Sequence, residues 1–95
     1  GRQELSETPI APAKAMIYPN PIVNNQVKIS YTAERESDIT IVIYNASGIQ
    51  MDVRSLQVSH GENLIEFGVQ GLRQGIYLLR VYDQQEVRTM KFSIQ

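Results

Sequence analysis

"IYLLRVYDQQEVRTMKFSIQ", residues 76–95, decides the fold class. Its first half places Tyr77, Leu79 and Val81 on one parity. Its second half places Met90, Phe92 and Ile94 on one parity, with Arg80, Lys91 and Ser93 opposite. A period of two is the signature of a strand with one face on a core. The polar break at Gln84-Gln85 lets the two halves fold back on each other as a hairpin. Working towards the amino terminus, "DITIVIYN" (38–45) carries Ile39, Ile41 and Ile43 on one parity and Thr40, Val42 and Tyr44 on the other, which suits a central strand covered on both faces. "NASG" (45–48) follows as a turn, with Gly48 the residue for a positive φ. "QVKISYTA" (26–33) and "LIEFGV" (64–69) read as further strands, and "HGEN" (60–63) and "QGLRQG" (70–75) as the turn and loop beside them.

Residues 49–59, "IQMDVRSLQVS", are less regular. Ile49, Met51 and Val53 share one parity and Leu56 and Val58 the other, so a bulge or break is expected near Arg54-Ser55. Turn signals every eight to twelve residues, and β-branched and aromatic residues between them, predict an all-β fold: an antiparallel immunoglobulin-like β-sandwich of about seven strands. The domain is expected over residues 16–95, with residues 1–15, rich in Pro, Ser, Thr and small side chains, as a flexible linker before it.

Composition narrows the function. Ninety-five residues make one domain. Nine basic and ten acidic residues leave a net charge of −1, without the basic footprint that nucleic acid or an anionic membrane requires. The chain has no cysteine, which removes thiolate chemistry, disulfides and cysteine metal sites. No apolar run reaches the roughly 20 residues of a membrane-spanning helix, and residues 1–4 do not open a signal peptide.

Chemistry-bearing residues are sparse. The single histidine, His60, sits in a polar turn without companion ligands. A triad from Ser59, His60 and Asp83 fails because adjacent residues point apart. Residues 33–38 and 60–63 each offer two or three oxygens, which fits a solvated turn better than a calcium loop. Glycines 68, 71 and 75 lack the lysine and the strand-loop-helix setting of a phosphate loop. The five tyrosines read as half-buried strand residues rather than a stacking platform. No catalytic residue, metal site or cofactor is expected.

Four short motifs stand in order. They are "YPNP" (18–21), "YNASGIQM" (44–51), "LRQGIYLLRV" (72–81) and "MKFSIQ" (90–95). Together they resemble the type IX secretion C-terminal sorting domain of the Bacteroidetes. Members share a Pro-Asn-Pro near their start, a Leu-x-x-Gly-x-Tyr element and a last strand ending in Lys-hydrophobic-x-hydrophobic. These fall on Pro19, Asn20 and Pro21, on Leu72, Gly75 and Tyr77, and on Lys91, Phe92, Ser93 and Ile94. Gln95 adds a polar end beyond the family pattern.

The resemblance implies a non-catalytic address label. Its passenger precedes it, crosses the inner membrane separately and is exported through the periplasm to the outer membrane, the cell surface or the medium. The partners implied are type IX translocon components and, in most members, a sortase that cuts upstream, here within residues 5–15. Recognition is expected at the last strand, Lys91, Phe92, Ser93, Ile94 and Gln95, beside an edge open to strand addition. Pro19, Asn20 and Pro21 are expected to set the linker's exit direction and to end an exposed edge. An edge-strand or domain-swapped homodimer is compatible with the same pattern. Two competing readings are a ligand- or carbohydrate-binding fibronectin-like module of a secreted protein, and an interaction sandwich like that of flagellar hook-capping proteins.

Overall fold

The computed structural model describes residues 14–84 and 86–95, and the expected linker therefore lies almost wholly outside the described residues. Seven strands follow one another: β1 (Ala15–Val23), β2 (Gln26–Ala33), β3 (Ser37–Asn45), β4 (Gln50–Val58), β5 (Gly61–Gly68), β6 (Gly75–Tyr82) and β7 (Val87–Ile94). They form one sheet in the order β4-β3-β6-β7-β1-β2-β5. The sheet folds over into a barrel-like sandwich, so that β1, β2 and β5 face β4, β3, β6 and β7 across a shared core. Ala15, given above to the linker, is already the first residue of β1.

The core is the inward parity of each strand. Val27, Ile29, Tyr31 and Ala33 come from β2, Ile39, Ile41 and Ile43 from β3, and Tyr77, Leu79 and Val81 from β6; Phe92 and Ile94 come from β7. Burying each larger side chain contributes about 1.5–3 kcal/mol. β3 is the centre of its wing, flanked by β4 and β6, and even its outward Val42 is only 6% exposed. The β6–β7 hairpin runs in unbroken register from Gly75↔Ile94 to Tyr82↔Val87.

Two expectations need correction. The sheet is mixed rather than antiparallel, because β1 joins β7 in parallel through Ile22↔Ile94. The irregularity in β4 lies at Met51, not at Arg54-Ser55: Ile43 pairs with Asp52 and Tyr44 with Gln50, leaving Met51 as the extra residue. Beyond it β4 is continuous. Its apparent change of phase arises because Met51 and Val53 point outward, each 42% exposed, while Leu56 and Val58 point inward.

Candidate functional site: the carboxyl-terminal pole

The ends of β3 and β7, the starts of β4 and β6, and the β1–β2 turn lie together at one pole of the domain. Asn45 is paired with Tyr77, Gly75 with Ile94, and Ile94 with Ile22. Residue 14 and the β6–β7 turn lie at the other pole, where Lys14 Nζ is 4.0 Å from a Glu86 carboxylate oxygen. β7 has eight residues, so the poles are about 26 Å apart.

At this pole β1 changes partner. Its first half pairs with β2 from Ala15↔Tyr31 to Tyr18↔Lys28, and Ile22 then bridges to β7. Pro19 and Pro21 occupy the crossing, where neither needs the N–H it lacks. Both X-Pro bonds, Tyr18-Pro19 and Asn20-Pro21, are cis. Asn20 fills the gap between them with its side chain. Its Nδ2 donates to the Lys91 carbonyl at 3.1 Å, and its Oδ1 accepts from the Ser93 N–H at 3.1 Å. A primary amide offers one donor edge and one acceptor, as a peptide unit does, so the side chain carries the pairing where the prolines interrupt it. The Pro-Asn-Pro stretch is therefore internal to β1, a crossing from one wing to the other rather than the doorway of the domain.

The late motif meets the last strand directly. Tyr77 stacks on Phe92 with ring centroids 5.5 Å apart, and its hydroxyl donates to the Arg73 carbonyl within the preceding loop. Leu72 packs against the core, and its N–H donates to the Val69 carbonyl. Gly75 has φ +152, with open space extending 4 Å around the position a Cβ would take. In the β3–β4 turn Gly48 has φ +85, while Asn45 Oδ1 accepts from the Ser47 and Ile49 N–H groups. Residues 19–21, 72–77 and 91–94, scattered along the chain, thus form one contiguous structure.

The five last-strand residues expected for recognition divide by exposure. Phe92 and Ile94 are buried, Ser93 is half-buried with its N–H held by Asn20, and Lys91 and Gln95 are exposed. β7 lies between β6 and β1, and its outer margin is covered by Asn20 and Ile22 from residue 91 to its end, so the expected edge open to strand addition beside the last motif is closed there. Towards Val87 no described β1 residue is paired with it.

Several contributors were missed by sequence reasoning. Asn24 and Asn25 both have left-handed φ, 57° and 56°, closing β1 onto β2 in a two-residue turn; a paired Asn-Asn between strand-like runs is the signal that could have revealed it. Asn63 fastens the β4–β5 corner, accepting from Ser59 N–H and donating to the Ser59 and Gly61 carbonyls. His60, in the same corner, is exposed.

Three tyrosine hydroxyls are shifted from their ordinary range. The Tyr31 hydroxyl donates to Asp83 Oδ2 at 2.8 Å; burial, with that bond to a carboxylate, pushes its pKa up to about 12. On the outer face of β3 and β6, the Tyr44 and Tyr82 hydroxyls are 3.1 Å apart, with the Arg80 guanidinium over the Tyr44 ring. The hydroxyl–hydroxyl bond, aided by Arg80, lowers the Tyr82 pKa; the same bond and partial burial raise that of Tyr44 against the opposing pull of Arg80. Among the described residues no three His, Asp or Glu side chains gather as a metal site.

A family model described as the secretion system C-terminal sorting domain matches residues 16–95, which spans all of the strands but the first residue of β1. Among curated proteins none matches the chain.

Proposed function

This chain belongs to the type IX secretion-system C-terminal sorting domain family, and from that premise we propose that the carboxyl-terminal pole is the surface the secretion machinery reads. As a sorting signal the domain directs the protein that carries it to export, towards the cell surface or the extracellular space. Members of the family act as signals rather than as catalysts. The finer steps are our reading. A translocon component engages the exposed groups of the last strand, Lys91 and Gln95, while the passenger leaves from the opposite pole through residues 1–14. A sortase acts there, within residues 5–15.

One observation carries this reading: three motifs with no proximity in sequence are joined at one pole by the Asn20, Gly75 and Tyr77 contacts to the last strand. A label must keep its passenger clear of its reader, and a separation of about 26 Å does so. Phe92 and Ile94 hold the strand in place, so a reader of the folded domain meets Lys91 and Gln95 instead.

The test is a transplant. Residues 4–95 are fused behind a fluorescent protein bearing a signal peptide, in a bacterium with a type IX system, and surface and medium are assayed against periplasm. The fusion should be exported. Lys91→Glu and removal of Gln95 should reduce export at least about tenfold while circular dichroism and the unfolding midpoint stay close to the parent, since exposed changes cost within about 0.5 kcal/mol. Periplasmic retention of the folded parent fusion would overturn the reading. Undiminished export of both variants would move recognition away from the last strand.

A further inference from the structure

We propose that β4 is a docking edge for a second copy of this chain, adding antiparallel across a two-fold axis at Val53. β4 and β5 are the two ends of the strand order, so each presents one margin that is unpaired among the described residues. Their charges differ. β5 carries Glu62 and Glu66 with no cation, and a two-fold pairing across it would only concentrate negative charge. β4 carries one acid and one base, Asp52 and Arg54, on either side of Val53. In a two-fold antiparallel pair centred on Val53, Asp52 of each copy lies directly opposite Arg54 of the other, and Val53 lies opposite itself.

The local hydrogen bonding agrees with that register. The Val53 N–H donates to the Oδ1 of its own neighbour Asp52 at 2.8 Å, so it points away from Val42, its partner on β3. An outward N–H at the centre of a two-fold pair donates to the Val53 carbonyl of the second copy, while the Val53 carbonyl of the first copy accepts the reciprocal bond. In the free domain Asp52 occupies this donor and also bridges to Arg54 at 3.2 Å. Pairing exchanges both local contacts for intermolecular ones. The outward faces of Met51 and Val53, each 42% exposed, are covered against the second copy at the same time. The bulge at Met51 limits the pairing to a short central segment, which fits a reversible association rather than an obligate one.

The experiment is sedimentation velocity on the 95-residue chain over a concentration series, with four samples. The parent should show a monomer–dimer equilibrium. Asp52→Lys and Arg54→Glu each place like charges opposite one another at two positions, and each should raise the dimer dissociation constant about tenfold or more. An equimolar mixture of the two variants should dimerise again, because the introduced lysine then faces the introduced glutamate and the retained Arg54 faces the retained Asp52. Arg54 also lies over the Phe67 ring at 5.0 Å and bridges to Asp52, so both variants are checked by circular dichroism, and both carry the same prediction. A parent that stays monomeric at its solubility limit, a dimer indifferent to both charges, or open-ended assemblies would each overturn the proposal.

Discussion

The Ser93 N–H donates to the Asn20 side-chain oxygen at 3.1 Å across 73 positions of sequence, and the same amide donates to Lys91 on the other side of Phe92. With the Ile22↔Ile94 bridge, this is how β1 is attached to β7. Asn20 thus supplies two of the bonds that tie the two wings together at this seam.

Asn20→Ala should therefore lower stability by about 1–2 kcal/mol, the sum of two net hydrogen bonds, visible as a lower urea midpoint. Asn20→Asp keeps the acceptor for Ser93 but sets a carboxylate against the Lys91 carbonyl, and should cost at least as much. Amide exchange at Ser93 should accelerate in the alanine variant, which removes its acceptor. An unchanged midpoint in the alanine variant would mean that the seam is held elsewhere.

Gly75 gives a prediction about backbone rather than contacts. A methyl group there would meet nothing within 4 Å, yet its φ of +152 is one that L side chains rarely adopt. Gly75→Ala should destabilise by about 1 kcal/mol or more through strain alone. A neutral result in thermal unfolding would show that the loop can relax, and that the glycine is retained for another reason.

Periodicity made the all-β class and the hairpin of β6 and β7 legible, because burial imposes a parity that the sequence displays directly. Parity says which face a residue uses and not which strand lies beside it. That is why residues 18–21 could be read as rigid but not as a crossing between wings: the partner change is decided by Asn20 meeting β7, through contacts 71 and 73 positions away. β4 misled for a related reason. Its outward apolar residues, Met51 and Val53, imitate a core face, and only the pairing with β3 separates them from Leu56 and Val58. The candidate site was visible as motifs, while their convergence depended on register.

Tyr31 predicts a pH response. Its folded pKa, pushed up to about 12 from 10.0 by burial and by the Asp83 carboxylate, is above the unfolded value. The neutral phenol is thus favoured in the fold. Its contribution is fully present below about pH 10 and is lost as pH rises through 12, by about 2–3 kcal/mol at most. Subtracting the tyrosinate absorbance titration of Tyr31→Phe from that of the parent should isolate one group titrating near 12. That variant should also lose less stability between pH 10 and 12. A difference curve centred near 10 would remove the basis for this coupling.

Phe92 separates holding the strand from reading it. Its side chain is 0% exposed and stacked on Tyr77, so Phe92→Ala should cost about 3–5 kcal/mol, a large share of the stability of a domain this size. Phe92→Leu keeps most of the volume and loses the stacking, and should cost less, within about 1–3 kcal/mol. Export of a fusion should then follow the folded fraction for the Phe92 variants, whereas for Lys91→Glu it should fall with the folded fraction unchanged. The comparison is made by plotting export against the fraction folded at the growth temperature. If Phe92→Leu remains fully folded and export still collapses, the buried ring itself is read, which requires the last strand to leave the core during recognition.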